Sequence, residues 1–528
     1  MSKVSKSRAS RSEYVSPTQL VLFDSPFDQE LNPKNRWVVL ANKIPWDKLV
    51  TPFVKVSRSV KQKGASSINP RVILGAMFIK HICDISDRET ILQIQENMYM
   101  QYFIGMASFS NEAPFDPSLF VSFRKKLGHE QVNELFEKIY KDLKFSDELP
   151  HNDKAPRSKI IQDASNTSAT STFEEKAIDK GKEEVKMNMT HKGQLIVDAT
   201  VCPQDVTYPT DVKVLNESRE QTEKLIDILY EGLAKEGDKP RTYRVNARKE
   251  FLKIAQAKKP PYKTIRKAIR KQLGYVNRNI KVINDLLDKY EEMPLSSKEL
   301  KYFMVIQTVF GQQNYMYRNK VRSVENRIVS IHQPHVRPIV RGKANANVEF
   351  GAKIQVSLID GFAFIDHLSW EAYNEGQQLM NSVELYHKRT GYLPEKVQAD
   401  QIYCTRENRR LLKEIGVRLM GKKLGRPSAV KEHLSPGERN PIEGFFGLGK
   451  RAYGLDRIKA RLASTSSSWI ALILMGINLV KLAGTISLWI LVNFLSMAQT
   501  KTNRNLRNLQ YKYLTLLPSH QLTHNQTF

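Results

Sequence analysis

Apolar positions recur along this chain at two periods, three to four residues in some stretches and two in others. The first period dominates the N-terminal third. Asn69-Pro70 reads as the cap and first residue of a helix with Ile73 and Met77 on one face. Ser86-Asp87-Arg88-Glu89 has capping-box form ahead of Ile91, Ile94 and Met98. Asp116-Pro117 is expected to open a third helix carrying Leu119, Phe120, Phe123 and Leu127. Residues 41–150 are thus predicted to be a helical domain, suited either to a helix-turn-helix type of DNA reader or to a plain bundle. The longest helical pattern comes later. Ile265, Ile269, Leu273, Val276, Ile280, Ile283 and Leu287 are spaced three or four apart, within a largely helical stretch placed at 215–342.

Strand patterns lie on either side of that stretch. Leu195, Ile196 and Val197 form a short apolar run that Asp198 is expected to close, in a first-strand segment 194–214. Residues 348–361 and 362–370 alternate and meet at Asp360-Gly361, a strong hairpin signal. After a helix at about 375–390 come a short strand, 396-KVQAD-400, a helix opened by Thr405, and another strand at 416–421. Together these place a second block of strands and helices at 343–497. The polar stretches are a basic arm at 1–40, a linker at 151–193 with the run 165-SNTSATST-172, and a basic tail at 498–528.

Charge changes this picture more than composition does. The 82 Lys and Arg against 55 Asp and Glu give a formal charge of +27, which points to a polyanionic partner. Positions 241–290 alone hold 15 Lys and Arg against 3 Asp and Glu, a surface suited to tracking phosphates. Three scattered cysteines, Cys83, Cys202 and Cys404, argue against a disulfide framework or a Cys-based zinc site and fit a reducing, cytoplasmic setting. The apolar run 469–495 is long enough to span a bilayer, but Asn478, Lys481 and Asn493 interrupt it. A buried core helix broken near Gly484 is the preferred reading, and a membrane is not expected.

Carboxylates end two of the strands, at Asp198 and Asp400, and a third, Glu443, lies in 437-GERNPIEGFFGLGKRAYGLDRIKAR-461. Three such acids from separate elements are what two-metal phosphoryl transfer requires, with Mg²⁺ as the natural ion because it favours oxygen ligands. Asp205, Asp211, Asp360 and Asp366 are rivals, since a strand-end Asp is often only a turn former.

The 437–461 stretch resembles the glutamate helix of DDE transposases from bacterial insertion sequences. Arg439, Glu443 and Lys450 match the family's Arg-x3-Glu-x6-Lys spacing, followed by Tyr453-Gly454-Leu455, while Pro436 stands at the family's tyrosine position. The segment 198-DATVCPQDVTYPTD-211 is similar to the first-Asp motif. The segment 400-DQIYCTRENRRLL-412 is similar to the second, with Ile402 in place of a glycine. The resemblance implies an RNase H-like mixed sheet flanked by helices, interrupted by a helical insertion and preceded by the all-helical N-terminal domain. It implies Asp198, Asp400 and Glu443 as catalytic metal ligands, Mg²⁺ as cofactor with Mn²⁺ able to substitute, and cleavage and 3′-OH transfer at element ends. It also implies double-stranded DNA as partner, a homo-oligomer on DNA, no small-molecule substrate, and a place at the bacterial nucleoid. Arg439, Lys450, Arg451, Arg266, Lys267, Arg270 and Lys271 are the DNA-binding candidates. An inactive DNA-binding relative and an RNase H-like nuclease or resolvase are the alternatives.

Overall fold

A computed structural model describes residues 30–50, 68–147, 190–233, 238–343, 346–421 and 440–484. Residues 151–189 of the expected linker, the C-terminal tail, Arg439 and Pro436 lie outside the described residues.

The N-terminal helices are α1 (Arg36–Lys43), α2 (Pro70–Cys83), α3 (Asp87–Glu96), α4 (Met98–Phe103), α5 (Leu119–Lys126) and α6 (His129–Asp147). Helix α1 begins inside the stretch expected to be a polar arm and runs into the expected helical domain. Asn35 caps it by accepting from the Trp37 amide, and Trp37, Val38, Leu40 and Ala41 are buried. The caps at Asn69 and Ser86 form as predicted, each accepting from an amide of the first turn. Asp116 does not open α5 directly. Its carboxylate accepts from the Ser118 amide in a turn, and the helix begins at Leu119. Helix α2 is not amphipathic, because Arg71 and most residues from Leu74 to Ile82 are buried. It therefore has no solvent face to lay in a DNA groove.

What covers α2 is the C-terminal apolar helix α14 (Ala463–Ala483), which ends at Gly484 with φ +67°. Helix α14 is long and apolar enough to cross a membrane, yet 89% of the apolar window is buried inside the protein. It packs on α2, α5, α6 and one strand of the sheet. Trp469 holds the joint together. Its ring lies 4.5 Å from the Lys80 ammonium and 5.0 Å from the Arg124 guanidinium, and the His81 ring meets it edge-on. Asp87 bridges the two cations at 2.9 and 2.8 Å. Burial, reinforced by the Lys80 and Arg124 charges, holds the His81 imidazole well below its ordinary range, so it is neutral in the folded protein.

The sheet contains β1 (Gln194–Pro203), β2 (Arg337–Lys343), β3 (Ala346–Ile359), β4 (Phe362–Ser369), β5 (Lys396–Gln398) and β6 (Arg418–Met420). Strand β1 does not stop at Asp198. It runs on through Thr200, Val201 and Cys202, all buried, because an antiparallel β3 pairs with it from Ile196 to Pro203. Gly351 allows that pairing to be close: a Cβ there would collide with the Cys202 carbonyl. The β3–β4 hairpin turns at Asp360 and Gly361 with φ +52° and +78°, the two positive values a two-residue primed turn needs. Strand β2 lies within the stretch expected to be helical and pairs with the first half of β3, while β4 pairs with the second half. On the other side of β1 come β5 and β6, both parallel. Antiparallel pairing on one side of β1 and parallel pairing on the other make the mixed, helix-flanked sheet expected of an RNase H-like core.

Between β1 and β2 lie α7 (Asp211–Gly232), α8 (Arg244–Ala255), α9 (Tyr262–Leu287) and α10 (Ser297–Asn319). They bury two apolar clusters of their own, one around Val276 and Ile306, the other around Ile226 and Ile283. The N-terminal helices differ in this respect. A single buried cluster runs from Trp37 through the sheet to Val480, so α1–α6 share one core with the sheet and α14.

A buried ion network fixes the face under β3. Helix α11 (Leu379–Thr390) follows a short 3₁₀ turn at Glu375–Gln378. From α11, the Arg389 guanidinium reaches Asp366 at 2.6 Å, Ser357 at 3.1 Å and Glu137 of α6 at 2.7 Å, and it stacks on Phe364.

Candidate active site

Strand pairing brings together the segments that lead into two of the sequence-chosen acids. Strands β1 and β5 pair in parallel, Gln194 with Lys396, Leu195 with Val397 and Ile196 with Gln398. Asp198 comes two residues after the last of these pairs within β1, and Asp400 comes two residues after it just beyond β5, at the cap of a short 3₁₀ turn. Asp198 is half-buried and Asp400 is exposed.

The turn that carries Asp400 is tightly held. The Asp400 carboxylate accepts from the Gln401 amide at 2.7 Å, and its carbonyl accepts from the Tyr403 amide at 3.0 Å. Asn408, on helix α12 (Arg406–Glu414), donates both to the Tyr403 carbonyl at 2.8 Å and to the Gly376 carbonyl at 2.7 Å. One amide side chain thus joins the Asp400 turn to the Glu375 turn. Ile402, where the family pattern has glycine, is half-exposed and is not among the residues with positive φ, so this turn needs no glycine.

The third acid comes from a helix. Helix α13 (Asn440–Ala452) begins at Asn440-Pro441 and buries Ile442, Phe445 and Phe446 against the core, leaving Glu443 and Gly444 exposed. It packs on β1. Lys450 follows two helical turns after Glu443 and shares its face. Arg451 is exposed, and its side chain donates to the Gly447 carbonyl at 3.2 Å. Tyr453 and Leu455 are core residues rather than site residues, and Gly454, at φ +68°, packs against Asp84 at the end of α2.

The four rival acids have structural duties. Asp205 pairs with Arg457 at 3.0 Å, and Asp211 with Arg327 at 2.5 Å. Asp360 forms the hairpin turn and accepts from the Tyr140 hydroxyl at 2.7 Å. Asp366 belongs to the buried Arg389 network. The sequence reading missed Glu375, which pairs with Lys353 of β3 at 2.8 Å. The Tyr403 hydroxyl has its pKa pushed well up by burial, with the Glu375 and then the Asp198 charge adding to the effect.

Among the DNA-binding candidates, Arg266 stacks on Tyr317 at 4.3 Å and donates to its carbonyl, and Lys271 pairs with Glu250. Both are occupied within the protein. Lys267 and Arg270 are exposed.

Carboxylate oxygens are hard donors of the kind Mg²⁺ prefers, so the residue types of Asp198, Asp400 and Glu443 fit that ion. Among the described residues, no group of three or more His, Cys, Asp and Glu stands at metal-holding spacing. The paired strands lead into two acids, and Glu443 stands on a helix packed against β1.

The mixed, helix-flanked sheet is of the RNase H-like kind. Comparison with known proteins narrows it. Residues 25–126 match the family described as Transposase domain (DUF772), and residues 397–480 match the Transposase DDE domain. These two separated segments are consistent with a DDE transposase of an insertion sequence. A stretch of 114 residues is 35% identical to an uncharacterized protein, ORF8 in the nfe locus, from Rhizobium meliloti, covering 22% of this chain and 54% of that protein. The chain therefore spans about half the length of the curated relative it matches. No solved structure matches it.

Proposed function

We propose that this protein is a DNA transposase that cuts at the ends of an insertion sequence and joins the freed 3′-OH to new DNA. The observation that carries this reading is the parallel pairing of β1 with β5 as far as Ile196 and Gln398, each two residues before one of the two aspartates. Asp198, Asp400 and Glu443 would hold the divalent ions. When bound, such ions activate the attacking oxygen and offset charge on the leaving one.

The chain's own groups do the rest. Asn408 and the Asp400 cap keep the second aspartate fixed, so that little ordering remains to be done when DNA arrives. Lys450, on the same face as Glu443, meets a phosphate beside the scissile bond. Exposed Gly444, with nothing within 4 Å of where a Cβ would stand, lets the DNA backbone approach the helix.

The test is strand joining. Supplied with a pre-cut duplex carrying the element end and a free 3′-OH, the protein should link it to unrelated DNA in Mg²⁺. Cutting without joining would make it a nuclease on the same core. DNA binding with neither reaction would make it an inactive relative.

A further inference from the structure

The basic block of the insertion resolves into one narrow stripe. Along α9, the exposed residues Lys263, Lys267, Arg270, Gly274, Arg278 and Lys281 are spaced 4, 3, 4, 4 and 3 apart. At about 100° per residue they fall within about 80° of arc, and 18 residues of rise make the row about 27 Å long. The opposite face is fully used, because Leu273, Val276 and Ile283 are buried in the insertion's own clusters. Among the described residues, no carboxylate pairs with Lys263, Lys267, Arg270 or Lys281. Arg278 is held in place by stacking on Tyr243 at 4.2 Å and Tyr275 at 5.1 Å. At the centre stands Gly274, with nothing within 4 Å of where a Cβ would be.

Cations repeated over about 27 Å match the phosphates of about eight base pairs, and a glycine at the midpoint lets a backbone lie against the helix. The row offers no side chain suited to reading base edges from an adenine or a cytosine, since it has no Asn, Gln, Asp or Glu. We propose that this face of α9 is a sequence-independent docking surface for double-stranded DNA, laid along the helix with its backbone over Gly274. Arg266 and Lys271, although in the same basic block, lie on either side of this row, where Arg266 stacks on Tyr317 and Lys271 pairs with Glu250. The proposal rests on the transposase reading for its partner, and it assigns that partner a surface away from the strand acids.

The experiment is a salt titration of binding by the full chain, with EDTA present so that cleavage plays no part. The probes are a duplex of arbitrary sequence and one carrying the DNA that flanks the coding region. Replacing Lys267, Arg270 and Lys281 together by Gln should make the slope of log K against log salt shallower by about 2.7, or about 0.9 per lost cation, equally for both duplexes. Gly274→Trp keeps every charge. It should weaken binding at least tenfold if DNA lies over the midpoint, with an unchanged circular dichroism spectrum. An unchanged slope in the triple variant, or a loss confined to the flanking-sequence duplex, overturns the proposal. So does parental duplex binding by Gly274→Trp, or a triple-variant defect seen only on phosphatidylserine vesicles. Failure of the strand-acid assignment would leave these slopes unaltered, whereas failure of the stripe would leave cleavage intact, so the two are distinguishable.

Discussion

Asp400→Ala should abolish strand cleavage while leaving DNA binding near the parental level. Loss of a group that merely orients a metal ligand costs 10–100-fold, so removal of a ligand itself should cost about a hundredfold or more. Folding should survive, because Asp400 is exposed and its bond to the Gln401 amide is a local one. The measurement is cleavage of end-containing duplex in Mg²⁺, with binding measured in parallel. Parental cleavage by this variant would remove Asp400 from the site. The rival acids provide the control. Asp205→Asn breaks only an exposed pair with Arg457 and should leave cleavage unaffected.

The largest effect on stability is expected from Arg389→Ala. The guanidinium is buried, and it is shared by Asp366, Ser357 and Glu137. Removing it leaves Asp366 charged or newly protonated inside the protein with its main partner gone. Breaking a buried pair in this way costs about 3–5 kcal/mol. Because Glu137 belongs to α6 and Asp366 to β4, the loss should loosen the N-terminal helices from the sheet as a unit. Denaturant midpoints report this directly. Replacing all three charges, as in Arg389→Met with Asp366→Leu and Glu137→Gln, should cost less than Arg389→Ala alone, since no charge is then stranded. A single variant with a parental midpoint would contradict this account of the joint.

Local chemistry made much of this fold readable in advance. Asp360-Gly361 specified a hairpin because two positive φ values suit those residues. The spacing from Ile265 to Leu287 specified α9, and Thr405 and Gly484 capped the helices they were expected to cap. Long-range facts were not readable. Asp198 looked like a strand end because an acid usually closes an apolar run, but pairing with β3 carries the strand five residues further. Strand β2 was hidden by Pro338 and its charges, which an edge strand tolerates. The shared core was hidden because Trp469 meets Lys80 and His81 from almost four hundred residues away. The same limit applied to the candidate site. Motif resemblance singled out Asp198, Asp400 and Glu443, but nothing local distinguished them from Asp205, Asp211, Asp360 and Asp366. Only their tertiary partners showed that those four serve the fold.

The central claim is that Asp198, Asp400 and Glu443 share divalent ions at one edge of the sheet. Anomalous diffraction from crystals of the full chain grown with Mn²⁺ and end-containing DNA tests it most directly. Density for manganese between the carboxylates of Asp198 and Asp400, with Glu443 as a further ligand, is the expected result. Manganese bound at other acids, with none at this edge, would contradict it.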